Sequence, residues 1–73
     1  MTDISIERKL GTKIAYLRKL KHLSQEKMAE KVDISEIYMG QIERGEANPT
    51  LDKLKAIAKV LDIEIKELFD FTL

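Results

Sequence analysis

The sequence predicts an all-α domain of five helices, and three observations carry that reading. Apolar residues recur at three- and four-residue spacing in separate stretches, no strand-like alternation runs to a useful length, and "GEANPT" is the only loop holding both Gly and Pro. A length of 73 residues suits one domain, taken as 1–73, with a modest core.

Leu10, Ile14 and Leu17 form the stripe of a first helix from about residue 5 to about residue 20. Ser24 reads as the N-cap of a second helix, with Gln25 and Glu26 in its first turn and Met28, Ala29 and Val32 on its buried face. "VDIS" has room only for a tight turn, after which Ser35 can cap a third helix running to Arg44 with Met39 and Ile42 turned inward. Gly45 stands where a helix C-terminus wants a left-handed residue. Thr50 can cap a fourth helix whose stripe is Leu51, Leu54, Ile57, Ala58 and Leu61, and Asp52 complements its positive end. A short fifth helix fits Glu64–Phe69.

Composition narrows the function. With no Cys, disulfide and thiolate-metal scaffolds are excluded. Apolar runs are too short to span a membrane and the N-terminus lacks a signal-peptide core, so the expectation is a cytoplasmic protein without membrane contact. His22 lies in the polar stretch "KLKHLS" and reads as a surface residue. Neither a Gly-rich phosphate loop nor a set of ligating residues stands out, so no enzyme, metal or cofactor is expected. Thirteen basic residues balance thirteen acidic ones, yet residues 1–31 hold eight Lys/Arg against four Asp/Glu. That asymmetry allows a basic face, although solvated helix surfaces produce the same pattern.

The third helix carries the informative anomaly. A stripe through Met39 and Ile42 leaves Ile37, Gly40, Gln41 and Arg44 on the opposite side, where an isoleucine and a helix-weakening glycine have no structural reason to be. Two short helices joined by a tight turn, the first opening on Gln25 and holding the small Ala29 where the pair must cross, describe a helix-turn-helix over about residues 24–44. The segment "LSQEKMAEKVDISEIYMGQIERGEANPTLDKLKAIAKVLDIEIKELF" resembles the Cro/lambda-repressor-like (XRE-family) DNA-binding domain, and with "GTKIAYLRKLK" the similarity covers roughly residues 10–69. Gln25, Ala29, Ile42-Glu43-Arg44-Gly45 and Asn48-Pro49 fall at the family's spacings. Asp33 departs from the pattern, standing where the family usually has Gly, but Asp tolerates the left-handed region better than most residues.

The resemblance implies that the outward face of the third helix meets base edges in a major groove. There Ile37 can pack on a thymine methyl or serve a protein contact, and Gly40 lets the backbone come close. Gln41 has the donor–acceptor pair that reads adenine, and Arg44 reaches a guanine or a phosphate. Glu36 can accept from a cytosine amino group or, as we favour, complement the helix dipole. Phosphate contacts are expected from Gln25 at the second helix N-terminus and from Asn48, Thr50 and Lys53 around the following loop. Tyr38 is placed either to pack inward or to reach a phosphate. Glu46 weakens the field in that loop and should depress non-specific binding. Arg18 and Glu43 match a pair that the family ion-pairs beneath the motif, and Glu43 borders the buried stripe.

"LDIEIKELFDFTL" holds more apolar residues than one short helix can bury, and Ile65, Phe71 and Leu73 are left for a dimer interface, a tail folded back on its own core being the alternative. The resulting expectation is a sequence-specific DNA-binding transcriptional regulator acting as a homodimer on a two-fold operator. The alternative from another class is a protein-interaction module, such as an antitoxin or adaptor component, which the zero net charge and Ile37 favour.

Overall fold

The computed structural model describes residues 4–72, so Leu73 of the expected dimer contact lies outside the described residues. Four α-helices, α1 Ile6–Leu20, α2 Gln25–Val32, α3 Glu36–Glu43 and α4 Leu51–Leu61, are followed by a 3-10 helix at Ile65–Phe69. No strand occurs among the described residues. The short fifth helix expected at Glu64–Phe69 takes the 3-10 form and begins one residue later; Glu64 stays extended, and five residues suit the short 3-10 form.

Each α-helix starts on a hydroxyl cap. Ser5, Ser24, Ser35 and Thr50 sit in extended conformation and accept hydrogen bonds from the amides of Arg8, Lys27, Tyr38 and Lys53 respectively. These bonds satisfy amides that no helical carbonyl can reach. Each α-helix also ends through a left-handed residue: His22 (φ 59°), Asp33 (φ 65°), Gly45 (φ 76°) and Asp62 (φ 59°). The next residue's amide then bonds back into the last turn, Leu23 to Arg18, Ile34 to Ala29, Glu46 to Gln41 and Ile63 to Ala58. Leu23, Ile34 and Ile63 pack against the core from these positions, whereas Glu46 is exposed.

The core is built from the inward stripes, with Ile14, Met28, Met39, Ile42, Ile57, Leu61 and Leu68 fully buried. α3 lies against α1 and α2, and α4 against α2 and the 3-10 helix, which also touches α1. Ala29 is buried, as the helix crossing requires. Leu51 was expected in the α4 stripe but is 65% exposed, because it occupies the first turn before the helix enters the core.

Gly11 performs a task that its helical position conceals. A Cβ there would collide with the backbone carbonyls of Ile42 and Glu43, so α1 can approach the end of α3 only because position 11 has no side chain. Gly11→Ala should therefore lower the unfolding free energy by about 1–3 kcal/mol in urea titration, as overpacking does. Helix propensity alone predicts the opposite sign, a gain approaching about 1 kcal/mol, and observing that gain would contradict the close approach.

Candidate nucleic-acid interface

One carboxylate gathers the helices around the site. Arg18 on α1 donates from Nε to Glu43 Oε2 at 2.7 Å and from Nη2 to Glu43 Oε1 at 3.1 Å, while its Nη1 donates to the Leu23 carbonyl at 2.7 Å. Gln25, the first residue of α2, adds a hydrogen bond from Nε2 to the same Glu43 Oε1 at 2.9 Å. The Arg18 and Glu43 side chains are only 10% and 5% exposed. Among the described residues no buried side-chain polar atom lacks a partner. The structure thus brings Arg18 and Glu43 together beneath the motif, and it adds Gln25 and the Leu23 carbonyl, neither of which the sequence reading connected to the pair.

Above this network lies the outward side of α3. Glu36 is exposed in its first turn, Ile37 is 75% exposed, Gln41 is half-buried and Arg44 is exposed at the C-cap. Gln25, Glu36, Ile37, Gly40 and Arg44 line a shallow notch of about 270 Å³ between α3 and the start of α2. Gly40 is buried, which corrects the expectation that it sits bare on the outward face. A Cβ at Gly40 would lie 3.0 Å from Arg44 Nη1 and 3.7 Å from Gln25 Oε1, so the neighbouring side chains close over the space that a glycine leaves.

Arg44 is already engaged. Its Nε donates to Glu46 Oε2 at 3.0 Å and its Nη2 to Glu46 Oε1 at 3.2 Å. The hydrogen bond, and secondarily the charge, of Glu46 raises the guanidinium pKa above its ordinary value, and the hydrogen bond from Arg44 lowers that of Glu46.

Thr50 Oγ1 is committed as an acceptor in its cap, which leaves the hydroxyl proton available to an anion. Lys53 is half-buried, and its Nζ donates to the Asp33 carbonyl at 3.3 Å in the turn after α2. Asn48 is exposed, and Tyr38 is half-buried against the core. His22 is exposed, and no cluster of potential metal ligands occurs among the described residues.

At the C-terminus, Ile65 packs partly buried on the core. Phe71 is half-buried, 6.4 Å from Phe69 in an edge-on arrangement, with Lys9 Nζ 5.9 Å from its ring centroid. Both residues thus find neighbours in their own chain. The amide of Thr72 donates to Asp70 Oδ1 at 3.1 Å and holds that carboxyl below its ordinary pKa.

A helix-turn-helix family model matches residues 14–68. The chain belongs to the helix-turn-helix (XRE) family. It is 41% identical over 63 residues to the control protein C.BamHI of Bacillus amyloliquefaciens, covering 85% of this chain and 78% of that protein. The crystal structure of the restriction-modification controller C.AhdI of Aeromonas hydrophila is 39% identical with a TM-score of 0.81, over 84% of this chain and 92% of that one. The biofilm regulator SinR, solved in complex with DNA, is 34% identical with a TM-score of 0.78, over 84% of this chain and 98% of that one. The chain spans 56% of the full SinR of Bacillus subtilis, and SinR has also been solved with the SinI protein. The family consists of DNA-binding regulators of transcription rather than enzymes. No helix among the described residues is long and apolar enough to cross a membrane.

Because Glu43 receives every Arg18–Glu43 and Gln25–Glu43 hydrogen bond, Glu43→Gln should destabilise the fold by about 3–5 kcal/mol, the loss typical of breaking a buried pair. Urea unfolding followed by circular dichroism measures it. A loss below about 1 kcal/mol would mean that the two groups behave as separate surface charges.

Proposed function

We propose that this chain is a sequence-specific DNA-binding transcriptional regulator that acts as a homodimer on a two-fold operator. The observation that carries the reading is the outward side of α3: an isoleucine 75% exposed beside a notch into which Gln25 and Arg44 also converge. Ile37 packs on a thymine methyl, Gln41 reads adenine, Arg44 reads guanine or holds a phosphate, and Glu36 lies within the same base-facing set. Gln25 retains a second amide hydrogen after bonding Glu43, and it grips a phosphate at the α2 N-terminus together with Tyr38, Asn48, Thr50 and Lys53. C.BamHI and C.AhdI, covered over most of their length, support gene control of the kind those proteins' names describe.

The dimer contact is assigned to the C-terminal segment, with Ile65, Phe71 and Leu73 as its apolar residues. Support comes from apolar surface around that segment: Ile4, Tyr16 and Phe69 are exposed, and a groove of about 310 Å³ runs between α1 and Phe71. Single modules of this size bury too little surface to discriminate well alone. A protein-interaction role is the second reading, favoured by the exposed Ile37 and by the existence of a SinR complex with SinI. Cytoplasmic placement accompanies either reading.

Selecting bound duplexes from a random pool tests the main reading. The enriched sequence should be two-fold symmetric, with half-sites about 10 base pairs apart, and affinity should fall steeply with salt. Gln41→Ala should lose about 1–3 kcal/mol on that duplex and relax one position per half-site, whereas Gln25→Ala should weaken selected and random duplexes alike. An asymmetric single site would remove the dimer. Equal losses for Gln41→Ala on both duplexes would remove its base-reading role, and a failure to enrich any sequence would favour the protein-interaction reading.

A further inference from the structure

The four helix ends differ in one respect. Beyond α1, α2 and α4 the residue after the left-handed position is Leu23, Ile34 or Ile63, each packed on the core. Beyond α3 the corresponding residue is Glu46, which is exposed and turned back onto Arg44. Its backbone position is closely defined. The Glu46 amide bonds to the Gln41 carbonyl at 2.8 Å, and Gly45 is pressed so tightly on α1 that a Cβ there would fall 2.8 Å from Arg8 Cα. The turn therefore delivers a carboxylate to the last residue of the α3 side facing the notch.

The carboxylate presents two acceptor oxygens to two guanidinium N–H groups, which is the arrangement that a phosphate or the O6/N7 edge of guanine offers an arginine. With both occupied, Arg44 lies back across Gly40, its Nη1 within 3.0 Å of where a Cβ would stand. We propose that Glu46 is an internal competitor for the DNA acceptor of Arg44, a restraint that must open before the arginine engages DNA. This rests on the DNA-binding reading above and adds a specificity determinant to it. An exposed pair opens at small free-energy cost, so a duplex offering Arg44 two well-placed acceptors displaces Glu46, while a single poorly placed phosphate does not. The restraint thus filters weak sites from strong ones without touching a base.

A double-mutant cycle on the selected duplex tests the proposal, with wild type, Glu46→Gln, Arg44→Gln and the double variant titrated at two salt concentrations. Glu46→Gln should tighten binding about two- to five-fold, the range of an exposed ion pair, and the gain should vanish when Arg44→Gln is also present. On a random duplex, Glu46→Gln should also steepen the log–log salt slope by about one unit as the freed arginine takes a phosphate. An equal gain in the Arg44→Gln background would show that Glu46 acts only through its charge on the whole DNA field and would overturn the restraint. Weaker binding by Glu46→Gln would overturn it in the other direction, by showing that Glu46 orients Arg44 for contact. Failure of all four proteins to bind any duplex in a salt-dependent manner would instead overturn the DNA-binding reading itself.

Discussion

The Glu43 carboxylate is the constraint on which the rest of the arrangement depends. A buried carboxylate must be met by donors, and here they come from the last turn of α1 and the first residue of α2, while the carboxylate closes α3. Hydrophobic burial of Met39 and Ile42 decides which side of α3 turns inward, but it is non-directional and would tolerate a helix that slides or rolls. A two-pronged guanidinium contact at 2.7 and 3.1 Å does not tolerate such motion. An eight-residue helix with two fully buried large side chains needs such a restraint if it is to hold a fixed outward face. Gly11 completes the constraint by letting α1 come close enough to place Arg18 under the end of α3.

The same network prepares the surface above it. Gln25 is held by Glu43, so the polar wall of the notch is positioned before any ligand arrives, and the α2 N-terminus is held beside α3. Buried ion pairs are poor contributors to net stability compared with apolar replacements of the same size, because both charges must be desolvated. Retaining one at this crossing is better understood as fixing geometry than as strengthening the fold. The exposed Arg44–Glu46 pair differs in kind: solvent screens it, it opens readily, and its interest lies in competition rather than stability.

Much of this was legible in the sequence because it is local. Hydroxyl caps at Ser24, Ser35 and Thr50, the inward stripes, and the left-handed Asp33 and Gly45 all follow from chemistry within a few residues of where it acts. Four features escaped for a common reason, namely that they depend on how the folded chain surrounds each residue rather than on the helical period. Gly11 reads as an unremarkable helical glycine until α3 lies across it, although a glycine inside an otherwise regular apolar stripe is the signal that could have disclosed it. The burial of Gly40 depends on two side chains folding over it, and Phe71 finds Lys9 only once the tail returns to α1. Leu51 fits the helical period of α4, but the core ends before its turn. Among the candidate contact residues, Gln25 and Lys53 were identified by position alone, while their hydrogen bonds to Glu43 and to the Asp33 carbonyl become visible only in three dimensions.

The central claim is that the Arg18–Glu43 pair fixes the orientation of α3 more than it stabilises the domain. Replacing both members together, as Arg18→Met with Glu43→Leu, removes the directional bonds without leaving a lone buried charge. The account predicts an unfolding free energy within about 1 kcal/mol of wild type together with a loss of about tenfold or more in affinity for the selected duplex, or about 1.4 kcal/mol. A double variant that is as stable as wild type and binds that duplex with undiminished affinity would contradict it.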